Sequence, residues 1–359
     1  MLLPALVLVA SWQAQPADPV VGPAPVKAAA LEAKPVIAAM AADAEKLRPL
    51  VTSGGAAAFL DAVPSLPEPG AVTIYRNREK GLAISAEEWA LLPIESRDAF
   101  KPKECAPAFY YSTAYGSPLI YVRVLDLVAR LERSWEKPTA MSVLDFGYGS
   151  IGQLKLLSIT GLKAAGIEIE PLLAVLYREH TTPRADEPVV FHGRWPAEPA
   201  IVESVRQRGP FDLITSKNTL KAGYVHPTPP KGKTVDERQL VKLGVSDEAF
   251  LGAVRDALNP GGLFVIYNIC PAQSPPDDLA KPYIPWADGK SPFTREQFAA
   301  AGLEVLAFDA DDQAWALDCW HALGYDQGKA RQEQARDLFV WYTVVRKPRE
   351  QPPTGTIKP

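Results

Sequence analysis

The stretch Val143-Leu-Asp-Phe-Gly-Tyr-Gly-Ser-Ile-Gly152 decides the fold. Its apolar start predicts a buried strand, and its three glycines predict a turn that leads into a helix. Glycine lacks a Cβ and adopts positive φ, so backbone N–H groups and a helix N-terminus can approach a ligand closely at such a turn. The stretch therefore indicates a site for a nucleotide-like cofactor, although its spacing also fits the GxGxxG fingerprint of dinucleotide-binding proteins.

A second strand with an acidic end follows this turn. Residues 162–171 read Leu-Lys-Ala-Ala-Gly-Ile-Glu-Ile-Glu-Pro, and Glu168 follows Asp145 by 23 positions. A carboxylate at this distance suits a ribose diol, because it can accept hydrogen bonds from two hydroxyls. The alternative is that Glu168 and Glu170 are solvated loop charges.

Four segments of the chain, the second strand and the three described next, follow one another in an order and with a spacing that are specific to a protein family. Asp145-Phe-Gly-Tyr-Gly149 places an acid before Gly-x-Gly, Gly209 to Leu220 contains an apolar strand, and Leu258 to Asn268 contains a Pro-Gly-Gly turn before another strand. These segments resemble the class I S-adenosylmethionine-dependent methyltransferases over about 115–347. The resemblance implies an α/β fold with a doubly wound, mostly parallel seven-stranded sheet (the Rossmann-like methyltransferase fold) whose last strand is antiparallel.

The resemblance implies S-adenosyl-L-methionine as the cofactor. Seven residues are then candidates for binding it: Asp145, Gly147, Tyr148, Gly149, Glu168, Trp195 and Ser216. Two features depart from the family pattern. The third glycine is at 152 rather than 151, which predicts an offset helix start, and no acid follows the third strand, so Trp195 or a backbone carbonyl would have to contact the adenine.

Composition limits the partners. The 359 residues carry a net charge of −4, and 22% are charged without a basic cluster near aromatic residues, so we expect no nucleic-acid binding. The three cysteines and four histidines are scattered, which predicts no metal site. The sequence does not predict an oligomeric state.

The N-terminus resembles an export signal. Met1 to Ala10 is an apolar run that is too short to span a membrane, and small residues at 9–11 would suit a signal peptidase. No Lys or Arg precedes Lys27, however, and a cofactor made in the cytosol argues for a cytoplasmic protein. Export to the periplasm or medium and a cytoplasmic location therefore both stay open.

Four regions are predicted along the chain. Residues 1–25 form a signal-like or disordered leader, 26–112 a mostly helical N-terminal cap, 113–348 the methyltransferase-like α/β domain, and 349–359 a disordered tail. Strands are expected near 141–146, 163–168, 188–192, 211–216, 262–268, 303–309 and 338–346, and helices near 151–159, 171–179, 198–207, 246–258 and 312–323.

Long proline-rich loops follow strands four and five, and their aromatic content favours lids. Because ligands bind beyond the carboxyl ends of such strands, these loops supply four candidates for an acceptor pocket: Lys217, Asn218, Tyr224 and Asn268. Tyr115, which precedes the helix that starts at Ser117, is the fifth candidate. His226 is the candidate base, needed only if the acceptor must lose a proton. The alternatives are a loop histidine with a local hydrogen bond, core aromatics and solvated lysines.

The sequence thus predicts an enzyme, a methyltransferase that acts on an unidentified, small-molecule acceptor by in-line displacement. One alternative is an NAD(P)-binding oxidoreductase, which leaves the Pro-Gly-Gly turn unexplained. The other is an exported, non-catalytic protein that retains the fold.

Overall fold

Short helices and a small sheet come first along the chain. The computed structural model describes residues 35–113, 116–182, 187–271, 283–326 and 328–349. Its first elements are α1 (Val36–Leu47), α2 (Gly54–Asp61), β1 (Val72–Asn77), β2 (Leu82–Ser85), α3 (Ala86–Leu91), α4 (Ile94–Arg97), β3 (Lys101–Cys105) and α5 (Pro107–Tyr111). The leader, the tail from residue 350 onward and the loop at 272–282 lie outside the described residues.

The small sheet is a feature that the sequence does not predict. The helices of this region are present as expected, and Ser85 forms a capping box with Glu88 at the start of α3. Between them, however, the antiparallel strands pair in the order β2-β1-β3. Strand β3 reads Lys-Pro-Lys-Glu-Cys and is exposed at its first four residues, so it lacks the apolar alternation by which a strand is predicted.

Two ion pairs join the N-terminal region, at the small sheet and at α3, to the main domain. Arg76 on β1 forms an ion pair with Glu170, at 2.9 Å, and Arg178 forms one with Glu88. Both partners in the main domain flank α8 (Pro171–Leu176), which follows the acidic strand. The N-terminal region therefore packs next to the second strand of the main sheet, close to Glu168.

Seven strands form the main sheet: β4 (Ser142–Phe146), β5 (Lys163–Glu168), β6 (Val189–His192), β7 (Phe211–Lys217), β8 (Leu258–Cys270), β9 (Glu304–Asp311) and β10 (Phe339–Arg346). Their order is β6-β5-β4-β7-β8-β10-β9, and only β10 runs antiparallel to its neighbours. This is the predicted doubly wound topology of the Rossmann-like methyltransferase fold, with the predicted antiparallel last strand.

Strand β8 begins earlier than predicted. Leu258 already pairs with Phe211, and the Pro-Gly-Gly segment then forms an irregularity within the strand before Leu263 pairs with Leu213. Gly261 has φ +83° there. Proline and adjacent glycines predict a turn because they are turn residues, but they also mark bulges in strands.

Helices cover both faces of the sheet. The larger are α6 (Val122–Leu131), α7 (Ile151–Ile159), α9 (Pro199–Arg208), α11 (Asp247–Ala257) and α13 (Gln313–Leu323); shorter ones are α10 (Ala222–Val225), α12 (Arg295–Ala300) and α14 (Arg331–Gln334). Each face has its own buried apolar cluster. The strand order reverses at β4, so the crevice beyond the carboxyl ends of β4 and β7 is where such sheets bind ligands.

Candidate functional site

The glycine turn joins β4 to α7 at this crevice. Gly147 and Gly149 have φ of +71° and +61°, a region that favours glycine. Thr219, from the segment after β7, lies against the first of them: a Cβ on Gly147 would be 2.2 Å from Thr219 Oγ1. Position 147 therefore requires glycine both for its conformation and for space.

The N–H groups of turn residues 147–150 and 152 donate to acceptors within the protein. Those of Gly147 and Tyr148 donate to the Ile167 carbonyl at 2.9 and 3.3 Å. The N–H groups of Gly149, Ser150 and Gly152 donate to Glu168 Oε2 at 3.2 Å, to the Tyr148 carbonyl at 2.6 Å and to Ser150 Oγ at 3.2 Å, respectively. A dinucleotide pyrophosphate binds at such turns through free backbone donors, whereas the donors of this turn are already engaged.

Asp145 is the buried acid before the turn. It has no exposed surface, and it accepts hydrogen bonds from Thr215 Oγ1 at 2.8 Å and from Gln153 Nε2 at 2.9 Å. Burial raises its pKa, an effect opposed by the Gln153 hydrogen bond and by the positive charge of Lys217. The side chain thus joins β4, β7 and α7 beneath the turn, and Tyr121 extends the network through a 2.6 Å hydrogen bond with Thr215.

Glu168, at the end of β5, is hydrogen-bonded to the glycine turn. Its Oε1 accepts from the N–H groups of Ile169 and Glu170 at 2.8 and 3.2 Å, and its Oε2 accepts from Gly149 at 3.2 Å. Burial raises its pKa, and these three backbone donors act in the opposite direction. A carboxylate has about four acceptor sites, so one remains for a ligand hydroxyl. The alternative of a solvated loop charge does not describe Glu168, which is only 9% exposed.

A segment of the N-terminal region covers the turn and explains Gly152. Thr113 Oγ1 donates to the Gly149 carbonyl at 2.7 Å, and Ser150 Oγ donates to the Tyr111 carbonyl. A Cβ at residue 152 would be 2.8 Å from that carbonyl. The helix begins at Ile151 with Ser150 as its N-cap, so the displaced glycine reflects the close approach of this segment.

Trp195 and Ser216, two predicted cofactor residues, lie in buried surroundings. The Trp195 ring packs against Phe146 and Phe250, with ring centroids 6.2 and 5.7 Å apart, in the core cluster of one sheet face. Ser216 Oγ accepts from the Leu220 N–H at 3.2 Å. Both side chains have a structural role in this arrangement, and their contact with a cofactor stays a prediction.

Three of the predicted acceptor-pocket residues meet at the ends of β7 and β8. Lys217 is 7% exposed, and burial lowers its pKa, opposed by Asp145. Asn218, at φ +64°, accepts from the Ile269 N–H at 2.7 Å, while Asn268 donates to the Leu220 carbonyl at 2.8 Å. Neither Lys217 nor Lys221 is solvated: Lys221 is fully buried and donates to the carbonyls of Ile269 and Trp286, both at 2.8 Å.

The other two candidates are placed differently. Tyr224 lies on α10, where the Lys221 ammonium is 5.7 Å from its ring centroid. Tyr115 lies outside the described residues.

His226, the candidate base, lies at the surface. Its side chain is 48% exposed, and Nε2 is 2.9 Å from Asp247 Oδ2 at the start of α11. Gln297 also donates to that carboxylate, at 3.0 Å. This arrangement fits a loop histidine with a local hydrogen bond, and the catalytic role stays a prediction.

His192, the last residue of β6, is a polar residue of the site that the sequence pattern does not single out. Both ring nitrogens are buried and have no hydrogen-bond partner among the described residues. Burial lowers the pKa of the imidazole to about 4, so it is neutral at pH 7. The methyltransferase family usually has a carboxylate after the third strand, and this chain lacks it. His192, at the end of that strand, is the residue from which the sequence could have predicted a different polar contact at this place.

Metal sites and membrane spans are absent from the described part of the chain. It contains no group of three or more His, Cys, Asp or Glu placed to hold a metal ion, and none of its helices is long and apolar enough to cross a membrane. Cys105, Cys270 and Cys319 are buried thiols.

No family profile and no curated protein matches the chain. Among solved structures, the [4+2]-cyclase SpnF is similar at TM-score 0.38 and 15% identity, covering 67% of this chain and 83% of SpnF. Haemonchus contortus phosphoethanolamine N-methyltransferase 2 is similar at TM-score 0.36 and 16% identity (62% and 52% covered), and the mycolic acid cyclopropane synthase CmaA1 at 0.35 and 15% (63% and 85%). Because these likenesses are distant, the fold rests on the strand order above, which confirms the resemblance to class I methyltransferases at the level of the fold.

Proposed function

We propose that the protein is an S-adenosylmethionine-dependent methyltransferase that acts on a small-molecule acceptor. The proposal is supported by the position of the glycine turn and Glu168 at the switch point of this sheet. It does not identify the acceptor, and it does not require a metal ion.

One observation favours this cofactor over a dinucleotide. The backbone donors of residues 147–150 and 152 are engaged within the protein, whereas the acidic end of β5 retains an acceptor site beside glycines that allow a close approach. A nucleoside with a ribose diol and no phosphate fits such a site. A pyrophosphate would have to displace the Gly149–Glu168 hydrogen bond and place its charges next to a buried carboxylate.

The residues of the chain would then act mainly by positioning. When bound, S-adenosylmethionine supplies an electrophilic methyl group. Glu168 would accept a hydrogen bond from one ribose hydroxyl, and the segment that ends at Thr113 would exclude water from above the turn. The ends of β7 and β8 would orient the acceptor through Lys217 and Asn268. His226 would remove a proton only for an acceptor that must lose one.

The Glu168→Gln variant tests this assignment. The substituted amide keeps one oxygen for the N–H groups of Ile169 and Glu170 but loses the charge, so we expect S-adenosylhomocysteine to bind about 10- to 100-fold more weakly, the effect of a lost charged hydrogen bond. The matched control is Glu170→Gln, which removes the ion pair with Arg76 at the same turn. Titration calorimetry checks both, with circular dichroism to show that each variant is folded. Equal affinity of Glu168→Gln and the wild type would contradict the ribose role.

A further inference from the structure

Among the buried polar atoms that have no hydrogen-bond partner in the described part of the chain, three lie on two neighbouring side chains near the ends of β5 and β6. They are the Tyr148 hydroxyl oxygen and both ring nitrogens of His192. Buried polar groups nearly always have a partner, and each one without a partner destabilises the folded protein. Three such atoms on two neighbouring side chains therefore indicate that a ligand supplies the missing hydrogen bonds.

The sheet brings these side chains together. Strands β5 and β6 are parallel, with Glu168 opposite His192 in register, so both side chains point to the same face of the sheet. The Tyr148 ring lies over Gly166, where a Cβ would be 2.7 Å from its Cδ1 atom, and its centroid is 6.2 Å from that of the imidazole. The side chains of Tyr148 and His192 are thus neighbours on the sheet face to which Glu168, the residue assigned to the ribose, also points.

The chemistry of this pair selects a neutral, planar ligand. The imidazole is uncharged at pH 7, so it offers one N–H donor and one nitrogen acceptor, and the phenol offers one more of each. The Glu168 carboxylate next to them disfavours an anion. A nucleobase edge combines donors and acceptors without charge.

We propose that His192 and Tyr148 bind the base of the nucleoside cofactor, and that His192 does so in either tautomer. This inference rests on the proposed function. A carboxylate only accepts hydrogen bonds, so it favours the amino group of adenine and repels the carbonyl of hypoxanthine. A neutral histidine exchanges its donor and acceptor nitrogens and so tolerates both bases.

The His192→Phe variant separates a binding role from a packing role. Removing two buried nitrogens that lack partners should raise the melting temperature of the ligand-free protein and weaken S-adenosylhomocysteine binding about tenfold. A histidine that only packs would give a lower melting temperature and unchanged affinity. The control is His321→Phe, which replaces a histidine paired with Asp326 at the surface and should change neither quantity.

The base preference is tested with S-inosylhomocysteine. The wild type should bind it within about threefold of S-adenosylhomocysteine, and His192→Asp should favour the adenosyl compound by at least about tenfold. If the wild type binds S-adenosylhomocysteine but the His192 variants keep its affinity and base preference, the inference is overturned and the proposed function stands. If the wild type binds neither compound, both are overturned.

Discussion

Burial shifts the pKa of several single residues at the site, and His192 is the clearest case. In the unfolded chain its pKa is near 6.5, and in the folded protein burial lowers it to about 4. Between pH 6.5 and pH 4 the imidazole binds a proton in the unfolded state but not in the folded state. The free energy of unfolding therefore falls as the pH falls from 6.5 to 4. Well above pH 6.5 the residue is neutral in both states and contributes no pH dependence.

This shift gives a prediction for stability in acid. From pH 6.5 to 4, His192 should remove at most about 2–3 kcal/mol from the free energy of unfolding. The His192→Phe variant should lack this loss, whereas Tyr148, whose ring neighbours the imidazole, and Glu168, on the adjacent strand, are the same in both proteins. Urea denaturation at several pH values measures the difference. Parallel curves for the two proteins would show that the imidazole titrates normally.

At this scale the site is only partly predictable from the sequence. Asp145 and Glu168 could be predicted because acids at fixed distances from a glycine turn have a known role in binding a nucleotide-like cofactor. Their hydrogen bonds to Thr215 and Gly149 depend on contacts between separate strands, which no local pattern reveals. The same holds for His226, whose pairing with Asp247 joins residues 21 positions apart.

Among the elements, the glycine turn depends most on side-chain size. Gly147 and Gly81 have similar positive φ, +71° and +62°. A Cβ added at Gly147 would meet Thr219, whereas one added at Gly81 would have no neighbour within 4 Å in the described part of the chain. The two glycines therefore separate the cost of backbone strain from the cost of a steric clash.

The corresponding prediction compares two alanine variants. Gly81→Ala should lose about 1–2 kcal/mol of stability from the left-handed conformation alone, and Gly147→Ala should lose a further 1–3 kcal/mol, roughly, from overpacking. Adding Thr219→Ala to the second variant should recover part of that loss. Urea denaturation checks all three. An equal loss for Gly81→Ala and Gly147→Ala would mean that Thr219 moves aside freely.

The elements of the main domain are predictable because each of its buried parallel strands is an apolar run separated from the next by a helical segment. The small N-terminal sheet is not, since β3 is a polar edge strand that shows no periodic pattern. Its pairing with β1 depends on a contact between Val72 and Cys105, far apart in the sequence.

Across the whole molecule, a buried ion pair joins distant parts of the chain. Arg123 on α6 donates from Nε to Asp312 Oδ2 at 2.7 Å, and the Tyr267 hydroxyl donates to the same oxygen at 3.0 Å. The two charged side chains are 7% and 6% exposed. Removing one partner would leave the other charge buried and uncompensated.

We therefore expect Arg123→Met to lower the free energy of unfolding by about 3–5 kcal/mol. The matched control is Lys329→Met, because Lys329 forms an exposed pair with Asp337 and such pairs contribute less than about 1 kcal/mol. Guanidinium denaturation of both variants gives the comparison. A loss for Arg123→Met no larger than that for the control would show that Asp312 is neutralised or hydrated when its partner is absent.

The cofactor is the central claim at the scale of the whole protein, and titration calorimetry of the wild type with S-adenosylhomocysteine and with NAD tests it most directly. The engaged donors of the glycine turn and the remaining acceptor site of Glu168 predict one S-adenosylhomocysteine per chain and no measurable heat with NAD. Binding of NAD, or of neither compound at millimolar concentration, would contradict the account.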